Sequence, residues 1–323
     1  MLHSVQLPDV ARCHGCGLCA LVCPVYQQGG SVLTTPHGMA KAKQGGGELN
    51  KADVMACMLC GACAPLCPQD IDLMQMLVAL RAEANQEKNK GAAVERLEAR
   101  PANNHAKSIF IADHHLLNRS GRLDQPDVLE RVMRSLGNKV VLASDAGTDI
   151  SWAMREGRPV SHARLHEFLT TLQSVKQIII SDGLLYQLIR EKLPQIAMQS
   201  LGEYLSSRAV ARQKLGKYDL YILDTQTYHA NYAMAVIHYD RLHKSSGCRL
   251  ARDLHWLAVS TGAQALNNSG PGFDCGQQIE WLLSGRKVKR IVTESVADID
   301  LLSQHPQIQR EGICVVHVAE LVS

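Results

Sequence analysis

Cys13-His14-Gly15-Cys16-Gly17-Leu18-Cys19-Ala20-Leu21-Val22-Cys23-Pro24 is matched in spacing by Cys57-Met58-Leu59-Cys60-Gly61-Ala62-Cys63-Ala64-Pro65-Leu66-Cys67-Pro68. Each run reads C-x2-C-x2-C-x3-C-P, the spacing that wraps a loop around a cubane 4Fe–4S cluster. Three closely spaced thiolates hold three irons of one cube, and the cysteine before the proline points away and ligates the other cube. This assigns Cys13, Cys16, Cys19 and Cys67 to a first cluster, and Cys57, Cys60, Cys63 and Cys23 to a second. A zinc site pairs two ligands per C-x2-C knuckle and has no use for a third and fourth at these spacings. Disulfides need an oxidising compartment, for which the start Met1-Leu2-His3-Ser4-Val5-Gln6 offers no export signal. Gly15, Gly17 and Gly61 suit a cluster loop, because glycine lets backbone N–H groups approach sulfide closely. Two adjacent cubanes pass electrons singly and break no substrate bonds, so no catalytic residue is expected in this segment.

The rest of the composition narrows the class. A chain of 323 residues holds about two domains. The net charge of +3 and the 4% aromatic content give no basic field or stacking platform for nucleic acid. No run of about 18 apolar residues is present to span a membrane. The expected location is cytoplasmic, with any membrane contact peripheral and made through a partner.

The first domain is expected over 1–100. Between the two motifs, His37 to Gln44 is helix-compatible and is stopped by Gly45-Gly46-Gly47. After Cys67, Asp70 or Asp72 can cap a helix whose stripe is Met74, Leu77, Val78 and Arg81. A helical two-cluster ferredoxin domain follows from these signals. Glu83 to Lys107, with Pro101-Ala102-Asn103-Asn104, reads as a charged helix end and a linker. From 105 to 323 short apolar runs alternate with amphipathic ones. Strands are expected at 109–112, 140–143, 178–180, 220–223, 290–293 and 314–317. Helices are expected at 128–136, 161–173, 184–193, 250–261, 277–283 and 296–303. Apolar strands alternating with helices predict a largely parallel sheet covered on both faces, an α/β body behind an α domain.

Cys16-Gly17-Leu18-Cys19-Ala20-Leu21-Val22-Cys23-Pro24-Val25-Tyr26, followed by Thr35-Pro36-His37-Gly38-Met39, resembles the iron–sulfur subunits of glycolate oxidase, lactate-utilisation oxidoreductases, anaerobic glycerol-3-phosphate dehydrogenase and heterodisulfide reductase. His37 and Met39 stand where that family has arginines. The family also carries a duplicated C-terminal module with two C-C-G motifs. Here Asp145-Ala146-Gly147, Ser181-Asp182-Gly183, Asn268-Ser269-Gly270 and Glu294-Ser295 fall where its cysteines would be. The resemblance therefore implies a duplicated α/β domain that has lost its cluster ligands and serves for docking or structure. Cys248, Cys275 and Cys314 are too few and scattered to rebuild such sites, and read as small buried apolar residues.

The function this implies is an electron-transfer subunit of a multi-subunit oxidoreductase. A flavoprotein dehydrogenase acting on a small organic acid would supply electrons, and two 4Fe–4S clusters would pass them towards a quinone-linked or other acceptor. A subunit of a heterodisulfide-reductase-like complex and an assembly protein with structural clusters are the alternatives. Among weaker signals, His114-His115 read as a polar loop rather than metal ligands. His14 can tune a cluster or sit exposed. Asp224 and His229 read as remnants of the family's turn. Lys41 and Lys43 can offer charge to a redox partner or form a solvated face.

Overall fold

The computed structural model describes residues 8–85, 106–119, 128–265 and 273–322. The expected linker at 101–104, the Asn268-Ser269-Gly270 position and the N-terminal Met1–Gln6 stretch lie outside the described residues. The chain divides into two compact units that do not follow chain order. One comprises Met1–Val94, Ile150–Leu165 and Ser260–Gln278; the other comprises Glu95–Asp149, His166–Val259 and Ile279–Ser323.

The described part of 8–85 is built of helices and turns. Helices run over Pro8–Arg12, Leu18–Leu21, Pro24–Gln27, Pro36–Gln44, Lys51–Ala56 and Leu73–Ala84, with 3₁₀ turns at Val32–Thr34 and Ala64–Leu66. Their starts are written in the sequence. Thr35 caps Pro36–Gln44 by accepting from the Gly38 N–H at 3.1 Å, with proline in the first helical position. Asp72 caps Leu73–Ala84 by accepting from the Gln75 N–H at 2.9 Å.

The second half is α/β, and it is duplicated. Strands β1 (Ser108–Ile111), β2 (Val141–Leu142), β3 (Gln177–Ile180) and β4 (Ala197–Ser200) form one parallel sheet in the order β2-β1-β3-β4. Strands β5 (Asp219–Ile222), β6 (Arg249–Leu250), β7 (Arg290–Thr293) and β8 (Cys314–His317) form a second parallel sheet in the equivalent order β6-β5-β7-β8. One core joins the sheets: Phe110 and Ile179 of the first share it with Tyr221 and Val292 of the second. Central strands β1, β3, β5 and β7 are almost wholly buried, as their continuous apolar runs require.

The helices over 128–136, 161–173, 184–193, 277–283 and 296–303 are present within a residue or two of expectation. The expected helix over 250–261 is not. That stretch enters as β6 and then turns back, with Arg252 bridging to Ala258. Asp253 stops a helix there: its carboxylate accepts from the His255 and Leu257 N–H groups at 2.8 and 2.9 Å. Leu254, within that stretch, is 97% exposed. Among the described residues no helix is long and apolar enough to cross a membrane.

Candidate metal centre

The two cysteine loops share one local geometry. Cys23 and Cys67 each precede a proline and are extended, at φ −75°, ψ 114° and φ −74°, ψ 110°. That is the conformation a following proline imposes, and it turns both residues away from the preceding loop. In the first loop Gly15 and Gly17 take φ values of +82° and +76°. In the second, Gly61 matches Gly17 at φ +79°, but the position of Gly15 is held by Leu59 at φ +52°. A left-handed leucine is strained by about 1–2 kcal/mol. Its side chain is fully buried, and that burial holds the strain in place.

Two cavities result. The first, with about 370 Å³ of empty space including its mouth, is lined by Cys13, Cys16, Cys19 and Cys67, together with His14, His37, Gln69 and apolar groups such as Ile71 and Leu73. The second, about 340 Å³, is lined by Cys57, Cys60, Cys63 and Cys23, with Val25, Leu59 and Leu77 among its apolar walls. So each cavity gathers three thiols of one motif and the pre-proline thiol of the other. Among the described residues no three His, Cys, Asp or Glu side chains converge on a point that could hold a single metal ion.

The electrostatics fit a thiolate-bound cluster. Amide N–H groups point at sulfur: Leu59 donates to Cys57 Sγ at 3.4 Å, His37 to Cys19, Val25 and Tyr26 to Cys23, and Ala62 to Cys60. Each such bond favours the charged sulfur. Burial works the other way, pushing the thiols up to about 11 at Cys19 and about 12 at Cys23 and Cys60, and well up at Cys63. Metal binding at these sulfurs therefore displaces protons and supplies the positive charge that buried thiolates need. The donor set, eight thiols in two groups of four with amides on the sulfurs, fits two cubanes.

The weaker candidates are resolved by their partners. His14 is exposed at the rim of the first cavity. Lys43 is bound to Glu83 at 2.5 Å, so only Lys41 keeps an exposed ammonium, bonded to Gln44 at 2.7 Å. His114 meets the Asn118 amide, and His115 is exposed. Asp224 caps the helix Thr225–Ala230 through the Thr227 N–H, and His229 Nε2 accepts from the Ala258 N–H at 3.2 Å. Asp145 likewise accepts from the Gly147 N–H and Asp182 from the Leu184 and Leu185 N–H groups. Asp145 and Asp182 thus serve as turn and helix caps. Cys248 and Cys275 are buried as expected, but Cys314 is exposed. It opens β8, the edge strand of its sheet, where the pleat turns alternate side chains outward.

The reading of the sequence placed Arg81 and Glu294 but gave neither a role. Arg81 is buried beside Cys57. Glu294, at the carboxyl end of β7, is buried and accepts from the Asp224 N–H at 2.9 Å and the Tyr239 hydroxyl at 2.6 Å. Desolvation raises this carboxyl to about 8. No local pattern betrays Glu294, but Arg81 had a signal, a cation on the apolar stripe of its helix.

Residues 9–71 match the family of the 4Fe-4S dicluster domain. This part of the chain is similar to iron–sulfur domains of that kind, and the likeness supports an iron–sulfur protein with an electron-transfer role. No curated protein matches the chain.

Proposed function

We propose that the chain is the electron-relay subunit of a multi-subunit oxidoreductase. It holds one 4Fe–4S cluster on Cys13, Cys16, Cys19 and Cys67 and a second on Cys57, Cys60, Cys63 and Cys23. The carrying observation is the pair of neighbouring four-thiol cavities, neither lined by a carboxylate. A bound cubane supplies reversible one-electron chemistry. The chain's own residues do the rest. The thiols anchor, the amides of Leu59, His37, Val25, Tyr26 and Ala62 stabilise charge on sulfur, and Leu73, Leu77 and Val25 keep water out. The donor in this reading is a flavoprotein dehydrogenase of a small organic acid, which releases electrons in pairs that a one-electron relay passes on singly. The acceptor is a quinone-linked or other carrier. The capped turns at Asp145, Asp182 and Asp224 support a docking role for the α/β half. They also disfavour the heterodisulfide-type alternative, as does Cys248, which lies within the core.

Anaerobic reconstitution should give about eight irons and eight acid-labile sulfides per chain. A content near four would leave one motif empty, and well above eight would return a cluster to the α/β half. Both clusters should be reduced and reoxidised without loss of iron. Irreversible loss on reduction would favour clusters that only stabilise the fold.

A further inference from the structure

Arg81 lies on the helix Leu73–Ala84, on the same stripe as Met74, Leu77 and Val78, and is 2% exposed. An arginine at such a position needs a counter-charge, because burying an unpaired ion is among the costliest acts in a protein. It has none among the described residues. One terminal nitrogen donates to the carbonyl of Cys57 and the other to the carbonyl of Arg155. Its Nε is buried without a partner. Besides the Cys57 thiol, the charge that acts on it is the Arg155 guanidinium, which is also positive. The contact is built into the fold: a Cβ on Gly157, at φ +66°, would come within 2.4 Å of the Arg81 backbone. Only glycine lets that segment close over the arginine.

We propose that the counter-charge of Arg81 is the cluster of the second cavity, and that Arg81 makes that cavity the better electron acceptor of the two. This rests on the two-cluster reading above and adds the direction of flow. Arg81 stays protonated throughout and moves no proton. Its fixed positive charge stabilises one electron placed on the second site over the same electron on the first. One electron thus leaves the first site, which is oxidised, as one enters the second, which is reduced; the partner dehydrogenase refills the first. The contact to the Cys57 carbonyl keeps the guanidinium beside a ligand of the second site; a unit charge acting over about 10 Å at an effective dielectric of about 20 would change the affinity for one electron more than tenfold. Among the described residues, the arginine and lysine beside the first cavity are screened by solvent. Arg12 is exposed and bonded to the Gln69 carbonyl, and Lys41 is exposed over Gly15. Entry at the first site also suits its exposed ligand Cys16.

The test is a potentiometric titration of the loaded full-length chain, followed by paramagnetic resonance, for the natural protein, Arg81→Gln and Arg81→Lys. Signals are assigned with Cys60→Ser, which alters the second site. In the natural protein the second site should be reduced first. Arg81→Gln should lower the reduction equilibrium constant of that cluster at least tenfold, about 59 mV for a one-electron couple. Arg81→Lys should restore most of the shift, since it keeps the charge while changing the hydrogen bonds. A structural role alone would move Lys and Gln together, and that result overturns the proposal. So does an unshifted potential in Arg81→Gln, or a first site reduced first. If Arg81→Gln fails to load, the order in the natural protein decides. Iron and sulfide assays separate the two readings: two reversible clusters with no Arg81 effect sink this inference alone, whereas a chain that binds no cluster sinks both.

Discussion

Glu294 is a carboxyl that its surroundings keep protonated at neutral pH. Desolvation is the main cause of its rise to about 8; the Tyr239 hydroxyl and the Asp224 N–H pull the other way and do not overcome it. The sign of the linkage follows. In the unfolded chain a glutamate ionises near about 4.3. Below that value both states hold the proton and the full stability is present. Between there and about 8 only the native state holds it, so stability falls as pH rises, by at most about 1.4 kcal/mol per pH unit. Two neighbours bear on the reading of that slope. Glu203, also raised by burial, acts in the same direction. His238, held down to about 4, adds a slope of opposite sign that ends near its unfolded value of about 6.5. The window from about pH 7 to pH 8 therefore reports Glu294. Glu294→Gln keeps an oxygen for Asp224 and an amide for Tyr239, and should flatten much of the slope there. Denaturant midpoints across that window measure it, and equal slopes in the two proteins would refute the assignment. None of this was legible in the sequence. A glutamate after a strand reads as surface, and its burial comes from the helix at Gly202, where a Cβ would lie 2.1 Å from the Glu294 carboxyl carbon.

At the scale of elements, Cys23 and Cys67 are the decisive pieces, because a pre-proline residue is held extended. Among neighbouring charges Cys57 weighs most on Cys23, a thiol of the other motif. Cys23→Ser should therefore damage the cluster held mainly by Cys57, Cys60 and Cys63, while Cys67→Ser should damage the one held by Cys13, Cys16 and Cys19. Spectra of the two reduced variants decide. A Cys23→Ser protein that loses the first-motif cluster and keeps the second would refute crossed ligation. These loops were legible because their chemistry sits in a fixed spacing. The central strands were legible because they are continuous apolar runs between helices. What escaped were elements whose pattern is weak. Strand β4, Ala-Met-Gln-Ser, is an edge strand with alternate residues exposed, and β6 has two residues. The helix Tyr232–Ser246 hides its stripe of Ala235, Tyr239 and Leu242 among polar residues, and exposes Met234 and Ile237. The turn at Asp253 defeated a helical reading of 250–261, because one carboxylate accepting two amides outweighs a loose apolar periodicity.

At the scale of the whole chain, iron binding and the α/β half are separate in chemistry but interleaved in chain. Ile150–Leu165 and Ser260–Gln278 belong to the unit of the cysteine loops. The Arg155 and Glu156 carbonyls accept from Arg81 and Asn85, and Gln28 bonds to Gln278 at 3.1 Å and to the Asp274 N–H at 2.6 Å. A boundary drawn along the sequence near 100–105 therefore cuts these contacts. The sheets and the core that joins them lie wholly in the other unit, and that core is built of apolar side chains. Residues 105–323 expressed alone should accordingly be soluble, colourless and cooperative in unfolding. They should also melt below the loaded full-length protein, because the partners of 150–165 and 260–278 are gone. Replacing Cys248, Cys275 and Cys314 by alanine in the full chain should spare both clusters and their reversible reduction. The buried Cys248 and Cys275 should cost about 1–3 kcal/mol of packing and the exposed Cys314 little. Iron content, absorption spectrum and thermal melting of the fragment, with redox titration of the triple variant, make the test. A brown fragment, or lost redox activity in a folded triple variant, would mean that the α/β half carries redox chemistry of its own. A colourless fragment melting as high as the loaded chain would mean instead that the two interleaved segments draw no stability from the cysteine loops.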